Sequence, residues 1–124
     1  MKWLIAMVWS VNALAHEMVP ARADLKLSHV SGVLKAELAL FNKRADVDYY
    51  YISVFDDEWS PVTFVTTNRL IQVGYLGRTK FDIYLRSDDA QSARYVCSTS
   101  RLNANGKGTL VSSRICSRLM MVGI

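Results

Sequence analysis

The run Val47-Asp-Tyr-Tyr-Tyr-Ile-Ser-Val-Phe55 constrains the fold of this chain more than any other stretch. In an extended strand successive side chains point to opposite faces. Val47, Tyr49, Tyr51, Ser53 and Phe55 therefore share one face, and Asp48, Tyr50, Ile52 and Val54 share the other. Both faces are largely aromatic or β-branched, the residue types that suit a pleated surface. That pattern predicts a central strand rather than an edge. Alternation also forces Tyr50 away from Tyr49 and Tyr51, so either both faces are buried under a second layer or one of the two sets faces the core and the other is available for contact.

The flanking sequence repeats the same periodicity. Leu34, Ala36, Leu38 and Leu40 alternate with Lys35 and Glu37 inside Val33 to Asn42, and Gly32 and Asn42 bound the run. Phe81, Ile83 and Leu85 alternate with Lys80, Asp82, Tyr84 and Arg86 inside Thr79 to Arg86. Leu25 to Val30, Val62 to Thr66 and Leu70 to Val73 read as shorter strands, with Glu17 to Ala23 as an extended lead-in. Charged or polar turns separate them, at Asn42 to Asp46, Asp56 to Pro61 and Ser87 to Ser92. No segment carries a convincing amphipathic helix. Strands at this spacing predict a two-sheet sandwich of about seven short antiparallel strands.

The N-terminus has the layout of a secretory signal peptide: a positive Met1-Lys2, an apolar Trp3 to Val11 and a small-x-small Ala13-Leu14-Ala15. A buried N-terminal element is the competing reading. Cleavage is expected after Ala15, with Ala21-Arg22-Ala23 offering a second match after Ala23. This gives residues 1–15 as the signal and 16–124 as a single β-sandwich domain, periplasmic or extracellular, with no transmembrane anchor after cleavage. The apolar run is well short of the ~20 residues a membrane-spanning helix needs.

Export changes the reading of the two cysteines, Cys97 and Cys116, because an even count in an oxidising compartment predicts a disulfide. Between them lies the turn-rich Asn103-Ala104-Asn105-Gly106-Lys107-Gly108. A hairpin centred on Gly106-Lys107 pairs residues whose numbers sum to 213, and 97 and 116 are such a pair. Opposed residues in an antiparallel ladder are close enough for a disulfide. The apolar tail Met120 to Ile124 either completes the last strand or adds to a sheet in a neighbouring subunit.

The order of these segments resembles the N-terminal immunoglobulin-like domain of periplasmic pilus chaperones. The parts that carry the resemblance are an aliphatic strand ending in Asn (Leu34 to Asn42) and a Tyr-rich strand (Tyr49 to Val54). A Leu-Ile strand before a Gly loop follows (Leu70 to Gly77), then a strand ending in Arg (Phe81 to Arg86) and Arg94-Tyr95. The resemblance implies an all-β, immunoglobulin-like sandwich that binds another protein. Those chaperones have two domains, and this chain has length for one.

Catalysis needs a nucleophile, a base and an orienting group held together. His16 and His29 are the only histidines in 124 residues and no Gly-x-Ser-x-Gly occurs, so no enzyme and no cofactor are predicted. Asp56, Asp57 and Glu58 read as a solvated turn. Cleavage after Ala15 would expose the His16 amine and imidazole as a weak Cu²⁺ chelate, with His29 as a further candidate ligand. Basic residues are spread along the sequence, which argues against nucleic acid. Candidate contact residues are Tyr49, Tyr50, Tyr51, Trp59 and Tyr84, since Tyr and Trp are enriched at binding surfaces. The sequence thus predicts a secreted, non-enzymatic binding or assembly module that recognises a protein through a sheet edge or the Tyr-rich face. The alternatives are a periplasmic metal-handling protein, an enzyme inhibitor, or a structural subunit of a fibre or of a phage-encoded surface component.

Overall fold

The structure, a computed structural model, describes residues 16–101 and 113–121. The expected signal segment, the hairpin turn and the last three residues of the tail lie outside the described residues. Eight strands are β1 (Glu17–Val19), β2 (Arg22–Leu27), β3 (Val33–Phe41), β4 (Tyr49–Phe55), β5 (Leu70–Gln72), β6 (Arg78–Arg86), β7 (Tyr95–Arg101) and β8 (Arg114–Met121). A short helix, α1 (Ser87–Ser92), joins β6 to β7.

The strands form two layers. In one, β3 pairs antiparallel with β6 along its whole length, and β1 and the end of β2 share its other edge. In the other, the order is β2-β8-β7-β4-β5. Strand β2 belongs to both: Arg22 to Leu25 run beside β8, then Lys26 and Leu27 cross to β3. This crossing closes one side and curls the sandwich. The β2–β8 pairing is parallel, where an all-antiparallel arrangement was expected. Antiparallel neighbours follow from hairpins, but β2 and β8 are the opposite ends of the domain and no turn dictates their relative direction.

The alternating residues behave as their periodicity requires. Leu34, Ala36, Leu38 and Leu40 of β3, Phe81, Ile83 and Leu85 of β6, and Tyr50, Ile52 and Val54 of β4 are all buried between the layers. Strand β4 is central, flanked by β5 and β7. The hairpin register also holds: Tyr95 faces Arg118, Cys97 faces Cys116 and Thr99 faces Arg114, each pair summing to 213. The Cys97–Cys116 disulfide is formed, with its Cα atoms 4.0 Å apart. Met120 and Met121 complete β8.

Three local expectations change. The segment 62–66 forms no strand: Pro61 just before it bridges Phe55, and within it Val65 bridges Tyr84. Pro61 has no N–H to donate, so a ladder does not propagate from it. The first long strand starts earlier than Leu25, at Arg22, and stops at Leu27, where the Ser28 hydroxyl turns the chain by bonding Val30. Ser87 to Ser92, expected as a turn, closes into one and a half turns of helix. Asp88 and Asp89 sit in its first turn, where negative charge suits the helix dipole, and Ala90 is fully buried.

Candidate functional site

Burial decides which face of β4 is which. Tyr50 is fully buried, whereas Tyr49, Tyr51, Ser53 and Phe55 point away from the core and are half-buried. The outward residues of the neighbouring strands continue this face. They are Tyr95, Cys97, Thr99 and Arg101 on β7, and Arg114, Cys116, Arg118 and Met120 on β8.

Trp59 completes the face from the loop after β4. The Asp56 carboxylate accepts the N–H groups of Glu58 and Ser60, both at 2.9 Å, and the Trp59 N–H bonds Asp56 O at 3.1 Å. This turn holds Trp59 at φ 62°, a conformation unusual for a bulky residue. The indole stacks on Tyr95 at 4.5 Å and 7° between planes, and lies 5.9 Å from Phe55. It remains 47% exposed, so the turn presents an aromatic surface rather than burying one.

Arginines cover these rings. The Arg101 guanidinium lies 4.8 Å from the Tyr51 ring centre. Arg114 reaches obliquely across β7 to lie 5.5 Å from Phe55 and 5.2 Å from Trp59. A guanidinium stacked on a ring keeps its N–H edge available for an acceptor.

The other sequence candidates lie elsewhere. Tyr84 is on β6, opposite Lys35, on the outer surface of the other layer. Tyr50 is part of a buried polar knot. Its hydroxyl donates to Asn42 Oδ1, and burial pushes its pKa up to about 12. Asn42 also donates to Val47 O at 2.7 Å and Val73 O at 2.8 Å, and accepts from the Arg44 N–H at 2.9 Å.

His16 packs against Tyr50 with ring centres 4.4 Å apart. Its Nε2 lies 3.0 Å from Ser98 O and 2.8 Å from Ser98 Oγ, and its Nδ1 is hydrogen-bonded with Ser113 Oγ at 3.2 Å. Burial holds the His16 pKa below its ordinary 6.5; the Ser98 carbonyl opposes this and the Arg44 charge adds to it. His29 is exposed in the turn between β2 and β3. The two histidines sit beyond opposite ends of β3 and are not brought together. Among the described residues no three metal-ligating side chains cluster, and no helix is long and apolar enough to cross a membrane.

The structure therefore unites Tyr49, Tyr51 and Trp59 and separates them from Tyr50 and Tyr84. Alternation put Phe55 on this face without counting it among the contact residues, and Tyr95, Arg101 and Arg114 were missed. The 213 register placed Tyr95 and Thr99 opposite Arg118 and Arg114, and that was the available signal.

This architecture is an immunoglobulin-type sandwich whose fold resembles that of PapD-like domains. The chain is similar to the ASH/PapD-like domain 7 of human CEP192, at 10% identity over 99% of this chain and 94% of that one, with a TM-score of 0.56. It is also similar to the periplasmic chaperone SfaE, at 14% identity over 89% of this chain and a TM-score of 0.56. It spans 58% of the SfaE chain. A FixG-related protein from Vibrio parahaemolyticus matches at 16% identity and a TM-score of 0.46. No family model and no curated protein sequence matches. The resemblance to pilus-chaperone immunoglobulin-like domains thus holds at the level of fold.

Proposed function

We propose that this chain is a non-enzymatic binding or assembly module of the cell envelope or extracellular space. It recognises a protein partner through the outer face of the β4–β7–β8 layer. One observation carries the reading: Tyr49, Tyr51, Phe55, Trp59 and Tyr95 share one partly exposed face, with Phe55, Trp59 and Tyr95 in ring contact, and a positive-φ turn keeps Trp59 on it. Aromatic side chains that remain rigid and accessible bind partners at low entropic cost. The signal-like N-terminus and the disulfide support an oxidising compartment outside the cytoplasm. The short strand β5 ends the same layer, and its exposed Leu70 extends the apolar surface towards that edge.

The test is affinity capture from an envelope extract with the mature protein and two variants. Tyr51→Asp places a charge in the proposed face, and Tyr84→Asp places one on the opposite layer. The reading expects a captured protein to be lost with Tyr51→Asp and kept with Tyr84→Asp. Identical capture by both variants contradicts it.

A further inference from the structure

Both outer surfaces of the sandwich carry more cations than acids. On the β3–β6 layer, Lys35 is paired with Glu37 at 3.1 Å and with Asp82 at 3.7 Å, and Arg78, Lys80 and Arg86 point outward with no aromatic ring beneath them among the described residues. On the opposite layer the outward rows of β2, β4, β7 and β8 carry Arg22, Arg101, Arg114 and Arg118 against a single acid, Asp24. None of these four arginines lies within ion-pair distance of a carboxylate among the described residues. Arg101 and Arg114 instead lie over aromatic rings, 4.8 Å from Tyr51 for Arg101 and 5.5 and 5.2 Å from Phe55 and Trp59 for Arg114. A guanidinium held over a ring keeps N–H groups free to grip a carboxylate.

The spacing of these charges narrows the occupant. Arg101 faces Tyr49, and Thr99 faces both Tyr51 and Arg114, so Arg101 and Arg114 stand one outward step apart along the strands. Arg118 is two further steps along β8. One outward step is two residues, about 7 Å. The Arg114 side chain leans towards the Arg118 level to reach Phe55 and Trp59. The charges therefore gather at two ends of the face, Arg101 at one and Arg114 with Arg118 at the other, a span that an extended polypeptide covers. We infer that the partner contacts this face with an extended acidic segment whose carboxylates meet Arg101, Arg114 and Arg118, and whose intervening side chains lie on the aromatic strip. The inference rests on the proposed face and adds the chemistry of the partner.

Fluorescence anisotropy with a labelled peptide of alternating Glu and Tyr tests it, with a Gln-for-Glu peptide as control. Sulfated polysaccharide and single-stranded oligonucleotide serve as competing polyanions. The Glu peptide binds at low salt and weakens as salt is raised, while the Gln peptide binds at least about tenfold more weakly, as expected for lost charge-assisted contacts. The double variant Arg101→Gln/Arg114→Gln, checked for folding by circular dichroism, loses a comparable factor, and Lys35→Gln on the other layer loses nothing. Arg114→Lys keeps the charge without the planar, two-pronged guanidinium and falls between. Equal binding of the Glu and Gln peptides, no measurable binding of either, or indifference to the arginine variants overturns the inference. So does tighter binding of the polysaccharide or oligonucleotide, which would assign the surface to another kind of polyanion. A captured envelope protein that is lost with Tyr51→Asp but kept with Arg101→Gln/Arg114→Gln leaves the face standing and removes only the acidic partner.

Discussion

Replacing Asn42 with Ala tests the buried knot that positions β4 and therefore the proposed face. The Asn42 side chain makes four hydrogen bonds: to Val47 O, to Val73 O, from the Arg44 N–H and from the Tyr50 hydroxyl. It thereby ties the end of β3 to the chain entering β4 and the chain leaving β5. Asn42 is fully buried, so groups left behind by Ala find little water. At about 1 kcal/mol net per hydrogen bond, with larger penalties for buried groups left unpaired, Asn42→Ala should destabilise by about 3 to 5 kcal/mol. Tyr50→Phe removes one donor and leaves Oδ1 still engaged by Arg44, so it should cost only about 1 kcal/mol. Because the Ala variant has already lost the acceptor, adding Tyr50→Phe to it should cost less than it does alone. The assay is urea denaturation of the four proteins of this cycle, read where the m-values agree. An Asn42→Ala protein within about 1 kcal/mol of the parent would refute the reasoning, as would a Tyr50→Phe penalty equal to that of Asn42→Ala.

Three further outcomes follow. His16 has a native pKa below its ordinary value, so it is neutral in both states above about pH 6.5 and its contribution is fully present there. As pH falls below that value the unfolded chain takes up the proton first, and stability should drop by at most about 1.4 kcal/mol per pH unit relative to His16→Gln. Arg44, Asp46, Tyr50, Ser98 and Ser113 surround the ring or its partners and stay unchanged in that comparison; parallel acid profiles of the two proteins contradict it. Removing the disulfide as Cys97→Ala/Cys116→Ala, across a separation of 19 residues, should lower stability by about 3 kcal/mol, and the parent should show no free thiol when denatured without reductant. Trp59→Gly gives up stacking worth about 1 kcal/mol but relieves a φ of 62° of similar cost, so its melting temperature should stay close to the parent while partner capture is lost.

The sandwich was legible because its signals are local. Alternation in β3, β4 and β6 fixes which side chains share a face, and one turn between two cysteines fixes the register of β7 on β8. What escaped depends on contacts between distant segments. The parallel β2–β8 pairing joins the two ends of the domain, and nothing near Arg22 or Arg118 announces it. Alternation split Tyr50 from Tyr49 and Tyr51 but gave no sign of which set points inward, since all are aromatic. The arginines looked dispersed because Arg22, Arg101, Arg114 and Arg118 are far apart in sequence or separated by apolar residues, and only the sheet brings them to one surface. His16 looked like a free terminal ligand, yet the serines that receive it lie 82 and 97 residues away.

The most direct measurement of the proposed face is site-specific photo-crosslinking in intact cells, with a photoreactive residue at position 51 in one protein and at position 84 in another. A crosslinked protein partner formed from position 51 and absent from position 84 is the predicted result. Crosslinking from position 84 alone, or equally from both positions, would contradict the assignment of the β4–β7–β8 face as the binding surface.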